Sequence, residues 1–199
     1  MSTALIIVDV QNDFCPCGSL AVKGGDEIVP LINRMMAGYE NIILTQDWHP
    51  KEHSSFASAQ HGKLPYDVID MDYGPQILWP DHCIQGTKRA EFHGDLRTSE
   101  AGLIIRKGFN PKIDSYSAFF ENDLKTPTGL HGYLQNRGIT DLDIVGLATD
   151  FCVKYSALDA VKLGYQARVL ESACRAIDMQ GSLAAARHEM HKAGVILGA

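Results

Sequence analysis

What this chain can fold into is constrained most by one stretch, residues 3–10 (TALIIVDV). There, apolar and β-branched side chains follow one another from Ala4 to Val8 without a polar alternate. A strand with one wet face alternates; a strand that does not is covered on both faces. Further runs of this kind stand at 41–45 (NIILT), 103–106 (LIIR), 143–148 (DIVGLA), 166–170 and 195–197. Segments of helical spacing lie between them. Ile28, Leu31, Ile32, Met35 and Met36 follow Gly24 and Gly25, Val153, Ala157, Ala160 and Val161 fall on one face, and 181–193 reads as another helix. Strands buried on both faces and alternating with helices predict a three-layer α/β fold. Its centre is a mostly parallel six-stranded sheet, Rossmann-like, with helices on both faces.

One stretch interrupts the alternation. From 47 to about 101 periodic runs are few, Pro65, Pro75 and Pro80 follow Pro50, and five of the eight histidines occur. Long irregular insertions in compact domains are uncommon and usually functional. No repeat, low-complexity tract or linker marks a second unit. The expectation is one domain over 1–199 with an insertion at about 47–101. A net charge of −6 without a Lys/Arg cluster predicts no nucleic-acid partner and no membrane partner. The first apolar run is stopped by Asp9 and has no basic flank, so it reads as neither a signal peptide nor a membrane span. Five cysteines, an odd number in a chain too large to need disulfide staples, predict thiols in a reducing cytoplasm.

Open parallel sheets bind ligands outside the carboxyl ends of their strands. Asp9, Asp47, Lys107 and Cys152 each follow one of the first four runs. Singly, each has an ordinary role in a loop, on the surface or in the core; four at one edge point to chemistry. Cys152 falls in the first turn of a helix that Thr149 or Asp150 can cap. The helix dipole and a nearby Lys107 ammonium favour a thiolate there. Asp9 can take the thiol proton, and the turn offers N–H groups to an oxyanion. A second constellation, Asp47 and His49 with His53 and the more distant His82, is an O/N ligand set suited to one divalent zinc, iron or manganese ion. Three readings stand open on the residues alone: acyl transfer centred on Cys152, a hydrolase using metal-activated water with Cys152 incidental, or a non-catalytic metal-binding module. Cys83 reads as packed, Cys174 has no partner pattern, and Cys15-Pro16-Cys17 lacks the CxxC spacing.

Taken together, DVQNDF (9–14), QDWHP (46–50), WPDHC (79–83) with QGT (85–87), KG (107–108) and GLATDFC (146–152) resemble the nicotinamidase (pyrazinamidase) branch of the isochorismatase-like cysteine hydrolases. The resemblance runs from about Ala4 to the last strand. The Asp, Lys and Cys motifs mark the superfamily, and Asp-x-His with Trp-Pro-x-His marks the metal-bearing branch. The stretch DSYSAFF (114–120) looks closest to enterobacterial-type nicotinamidases.

The resemblance implies a catalytic triad of Asp9, Lys107 and Cys152, with metal ligands Asp47, His49 and His82. His53 matches a position that ligates in some members and is replaced by water in others. An aromatic pyridine slot would be walled by Phe14, Trp79 and Tyr116. A cis peptide before Ala148 would turn the Ala148 and Cys152 N–H groups into an oxyanion hole. The implied reaction is hydrolysis of nicotinamide to nicotinate and ammonia through a cysteine thioester, in NAD salvage, with pyrazinamide as a further substrate. The family includes monomers and homo-oligomers. Phe151 departs from it, since relatives often carry Tyr or His before the catalytic cysteine.

Overall fold

In a computed structural model, which describes residues 2–198, the apolar runs assemble into one sheet. The described residues form six parallel strands in the order β5-β2-β1-β6-β7-β8. These are β1 (Ser2–Val8), β2 (Asn41–Asp47), β5 (Leu103–Lys107), β6 (Ile139–Leu147), β7 (Gln166–Arg175) and β8 (Ile196–Gly198). Four helices connect them: α1 (Val29–Met36), α2 (Leu130–Asn136), α3 (Lys154–Lys162) and α4 (Ser182–Ala193). Residues Ala4 to Val8 are at most 1% exposed, as a central strand under helices on both faces requires. The expected three-layer α/β architecture is the observed one.

The strand order explains where the site lies. The chain works outward from β1 through β2 to β5, then returns to β6 on the other side of β1. The order therefore reverses between β1 and β6, which opens a crevice at their carboxyl ends. Gly146 lets those two strands meet closely. At φ +120 it could carry no side chain, because a Cβ would lie 2.1 Å from the Val8 carbonyl oxygen.

Several boundaries differ from the sequence expectation for identifiable reasons. β1 ends at Val8 because Asp9 turns into the left-handed region (φ 49), with its N–H donated to Thr45 Oγ1 at 3.1 Å. β7 continues to Arg175 because a register shift opposite β6 lets Cys174 and Arg175 pair with Gly146 and Leu147. α3 is preceded by a single π-type turn, Thr149–Val153, with Ala148 at its N-cap and no side chain capping it. The irregular stretch holds an unexpected antiparallel hairpin, β3 (Val68–Met71) with β4 (Gly74–Ile77). Among the described residues no helix is long and apolar enough to cross a membrane.

Candidate active site

The carboxyl ends of four adjacent strands, β5, β2, β1 and β6, each deliver one reactive side chain to the crevice. Lys107 is the hub. Its ammonium, fully buried, lies 2.8 Å from Asp9 Oδ2, 3.0 Å from Asp47 Oδ1 and 3.0 Å from the Ser115 carbonyl oxygen, with Cys152 Sγ at 3.5 Å. Two of its hydrogens are donated to the Asp47 and Ser115 oxygens and the third faces the Cys152 sulfur, while Asp9 is met as an ion pair. Asp9 Oδ1 accepts from Thr45 Oγ1 at 2.5 Å. The contact to Oδ2 is an ion pair whose direction is off the hydrogen-bonding axis, so this buried oxygen has no aligned donor. It is left free to take a proton.

Burial and charge set the protonation states. Burial drives the Asp9 carboxyl above its ordinary value of 3.8, outweighing the pull of Lys107, and Asp47 adds to the rise. Burial alone would lower Lys107, but the Asp47 and Asp9 carboxylates hold it well above the usual lysine value. Burial also pushes the Cys152 thiol well up; Lys107 opposes this, and Asp9 and Asp47 reinforce it. Burial thus favours the thiol, against the helix dipole and the ammonium, which favour a thiolate. Two carboxylates near the sulfur add to the effect of its removal from water.

The second constellation also converges. His49 Nε2 lies 2.9 Å and His82 Nε2 3.2 Å from Asp47 Oδ2, and the ligand atoms of the three buried residues all fall within 4.8 Å of one another. The remaining ring nitrogens face carbonyls, which can only accept. His49 Nδ1 donates to Gly108 O at 2.9 Å, and His82 Nδ1 to Pro80 O at 2.8 Å. Both Nε2 lone pairs are thereby aimed at a carboxylate oxygen, an arrangement that calls for a positive charge between them. Burial would raise Asp47, but the positive charge of His49, when that ring is protonated, and of Lys107 holds it well below its ordinary value. The donor set fits one divalent ion. Gly108 makes the fit possible: at φ +66, a Cβ there would stand 2.5 Å from the His49 ring.

His53 lies beside this group, its ring centroid 4.6 Å from that of His49. Its nitrogens meet Ser55 Oγ at 2.8 Å and the Asn110 carbonyl at 2.7 Å. It falls within ligand range of His49 and Asp114, and is outside the Asp47-centred set.

Between the sulfur and the histidines runs a slot enclosing about 340 Å³ not filled by protein atoms, its open mouth included. Phe14, Trp79 and Tyr116 line it, as do Phe151 and Ala148, the latter following a cis Leu147–Ala148 peptide. Trp79 meets Phe151 edge to face at 4.9 Å, and its Nε1 donates to Tyr116 Oη at 3.0 Å. A flat aromatic ring matches this lining.

Sequence reasoning missed several lining residues. Leu20 and Ile177 close the slot, and Asp114 and Ser115 form part of its wall. Neither Leu20 nor Ile177 stands at a strand end or in a periodic run, so no local signal marks them. Asp114 and Ser115 lay in a motif that carried only the family likeness. Asp150 is not the helix cap expected of it. Its carboxylate accepts the Ile177 and Asp178 N–H groups at 3.1 and 2.8 Å and the Ser182 hydroxyl at 2.5 Å, tying the nucleophile turn to the slot's Ile177 side.

The isochorismatase domain model matches residues 3–198. A nicotinamidase of Acinetobacter baylyi is 57% identical over 96% of this chain and 90% of its own length. A solved nicotinamidase/pyrazinamidase of Acinetobacter baumanii is 55% identical with a TM-score of 0.98, covering 99% of this chain and 95% of that one. The pyrazinamidase of Pyrococcus horikoshii, solved in complex with zinc, is 34% identical with a TM-score of 0.79, covering 99% and 98%.

Proposed function

The chain belongs to the isochorismatase domain family, and from that premise we infer that it is a nicotinamidase. It hydrolyses nicotinamide to nicotinate and ammonia, a step of NAD salvage, and acts on pyrazinamide as well. The observation that carries this reading is the single ammonium of Lys107 in contact with Asp9, Asp47 and Cys152 Sγ, beside an aromatic slot. Residues 1–199 act as one catalytic unit, with the 47–101 segment as a metal-binding insertion.

The reaction follows from these groups. Asp9 takes the Cys152 proton as the sulfur attacks the carboxamide carbon. Burial raises both the Cys152 thiol and the Asp9 carboxyl, so the carboxyl is suited to receive the proton as the sulfur attacks. The Ala148 and Cys152 N–H groups hold the oxyanion. Asp9 then returns the proton to the departing nitrogen, and ammonia leaves a thioester on Cys152. Asp9 next draws a proton from a water that attacks the thioester; the C–S bond breaks, nicotinate departs and the thiol is restored. Lys107 stays protonated throughout, fixing Asp9 against the sulfur.

Asp47, His49 and His82 hold one divalent ion, zinc or iron, with manganese as the remaining candidate. When bound, that ion supplies an electrophilic anchor for the pyridine nitrogen. Phe14, Trp79 and Tyr116 orient the ring, which places the carboxamide over Cys152. Such positioning contributes on the order of several kcal/mol to barrier lowering. Its five unbridged cysteines suit a reducing cytoplasm, where we place the enzyme.

The test is ammonia release from nicotinamide and pyrazinamide before chelation, after chelation, and after add-back of zinc, iron or manganese. Activity lost on chelation and restored by one of these ions is expected. No turnover of either amide in any condition would overturn the assignment.

A further inference from the structure

Gln76 lies on the β4 hairpin strand, outside the main sheet, yet it is only 1% exposed. Its Nε2 is 2.8 Å from Tyr116 Oη, 3.0 Å from Asp114 Oδ2 and 2.7 Å from the Ile77 carbonyl, so two hydrogens serve three acceptors. Its Oε1 accepts from Asn122 Nδ2 at 3.0 Å and from Tyr73 Oη at 3.1 Å. Asn122 in turn accepts the Tyr116 backbone N–H at 3.0 Å. One amide thus uses both its ends on the loop that contributes Asp114, Ser115 and Tyr116 to the slot. The middle residue of the three also gives its carbonyl to Lys107.

Tyr116 Oη accepts from two directions, Gln76 Nε2 and Trp79 Nε1, and its ring stands at 88° to the Trp79 indole. Without the Gln76 donor, the ring would keep the Trp79 hydrogen bond and its Phe151 and Tyr155 neighbours but lose the contact that ties its hydroxyl to the hairpin. Buried polar networks of this kind resist substitution because each lost donor strands a buried acceptor.

We propose that Gln76 is a positioning residue for the amide substrate: acting through Tyr116, the hairpin sets the width of the aromatic slot. The proposal rests on the amidase reading above. It assigns the hairpin a direct part in substrate binding, with no contact between Gln76 and the reacting atoms.

The test is steady-state nicotinamide kinetics on metal-loaded Gln76→Leu, Gln76→Glu, Tyr116→Phe and the Gln76→Leu/Tyr116→Phe double variant. Gln76→Leu should raise KM by about tenfold or more, since the Tyr116 hydrogen bond is lost together with the Asp114 and Asn122 contacts that hold the same loop, with a smaller fall in kcat. The double variant should fall short of the product of the two single effects, because both single variants remove the Gln76–Tyr116 contact, although Tyr116→Phe also removes the one from Trp79. Should Gln76→Leu fail to fold, Gln76→Glu keeps Oε1 toward Asn122 and Tyr73 but turns a carboxylate oxygen toward Asp114 Oδ2, and that repulsion on the Tyr116 loop must still raise KM. An unchanged KM in a folded Gln76 variant, or effects that multiply in the double variant, would overturn the proposal. A wild-type enzyme that fails to release ammonia from nicotinamide would instead overturn the amidase reading, and the same assay reveals it first.

Discussion

Asp47 and Lys107 stand directly opposite each other in the pairing of β2 with β5, and their side chains meet at 3.0 Å. One oxygen of Asp47 therefore serves the ammonium while the other faces His49 and His82. Lys107 in turn reaches Asp9 at 2.8 Å. The metal group and the nucleophile group are thus one charge network, joined through a carboxylate with a role in each.

That network makes Lys107 costly to remove. Lys107→Met would leave two buried carboxylates without their shared cation, and breaking such a pair costs about 3–5 kcal/mol. Denaturant unfolding of the metal-loaded protein should register that loss, and turnover should fall with it. A loss below about 1 kcal/mol, the range of exposed ion pairs, would mean the pairing is not buried as described.

Gly108→Ala tests the seat of His49. The added methyl group lies 2.5 Å from the ring in a left-handed backbone position, so the imidazole must move off its carbonyl partner. Metal affinity should drop by about 10- to 100-fold, as for other losses of a ligand's supporting contact. Competition with a chromogenic chelator measures it, and wild-type affinity would show that the ring has room to spare.

His53 and His49 should separate cleanly. His53 is engaged by Ser55 and Asn110, whereas His49 Nε2 faces the Asp47 oxygen. Elemental analysis of His53→Ala should still find one metal ion per chain, and that of His49→Ala should find little. Metal lost equally from both would make His53 a ligand.

The pH profile carries a defined sign. Asp9 must be ionised to take the thiol proton, and burial raises its pKa in the folded protein. Activity should be present above that raised value and be lost as pH falls through it, so the acid limb of kcat/KM should lie above the ordinary 3.8. Acid also displaces metal from its ligands, so metal content is read at each pH. An acid limb at or below 3.8 with metal retained would remove Asp9 from the role of base.

The parts of this protein visible in its sequence are those carried by short-range patterns. The burial of Ala4 to Val8 follows from the absence of polar alternation, and Asp9, Asp47, Lys107 and Cys152 are marked by standing where strands end. The hairpin was not visible: its strands are four residues each, partly exposed, and interrupted by Gly74 and Pro75. Helix α2 escaped for a similar reason, having seven residues with Gly132 among them and only Leu130 and Leu134 buried. Asp150 looked like a cap because its neighbours suggest one, while its partners lie 27 to 32 residues away. Gln76 had no local signal at all, since its importance comes entirely from a loop some 40 residues on. The burial that pushes the Cys152 thiol up had no local signal either, since it comes from the whole fold around the turn.

The central claim is that Cys152 is the nucleophile, and the most direct measurement is ammonia release by Cys152→Ala, with metal content determined on the same sample. Covalent catalysis predicts turnover of nicotinamide reduced by roughly four orders of magnitude or more, at an undiminished one ion per chain. Substantial amidase activity in that variant, with the metal retained, would contradict the thioester route.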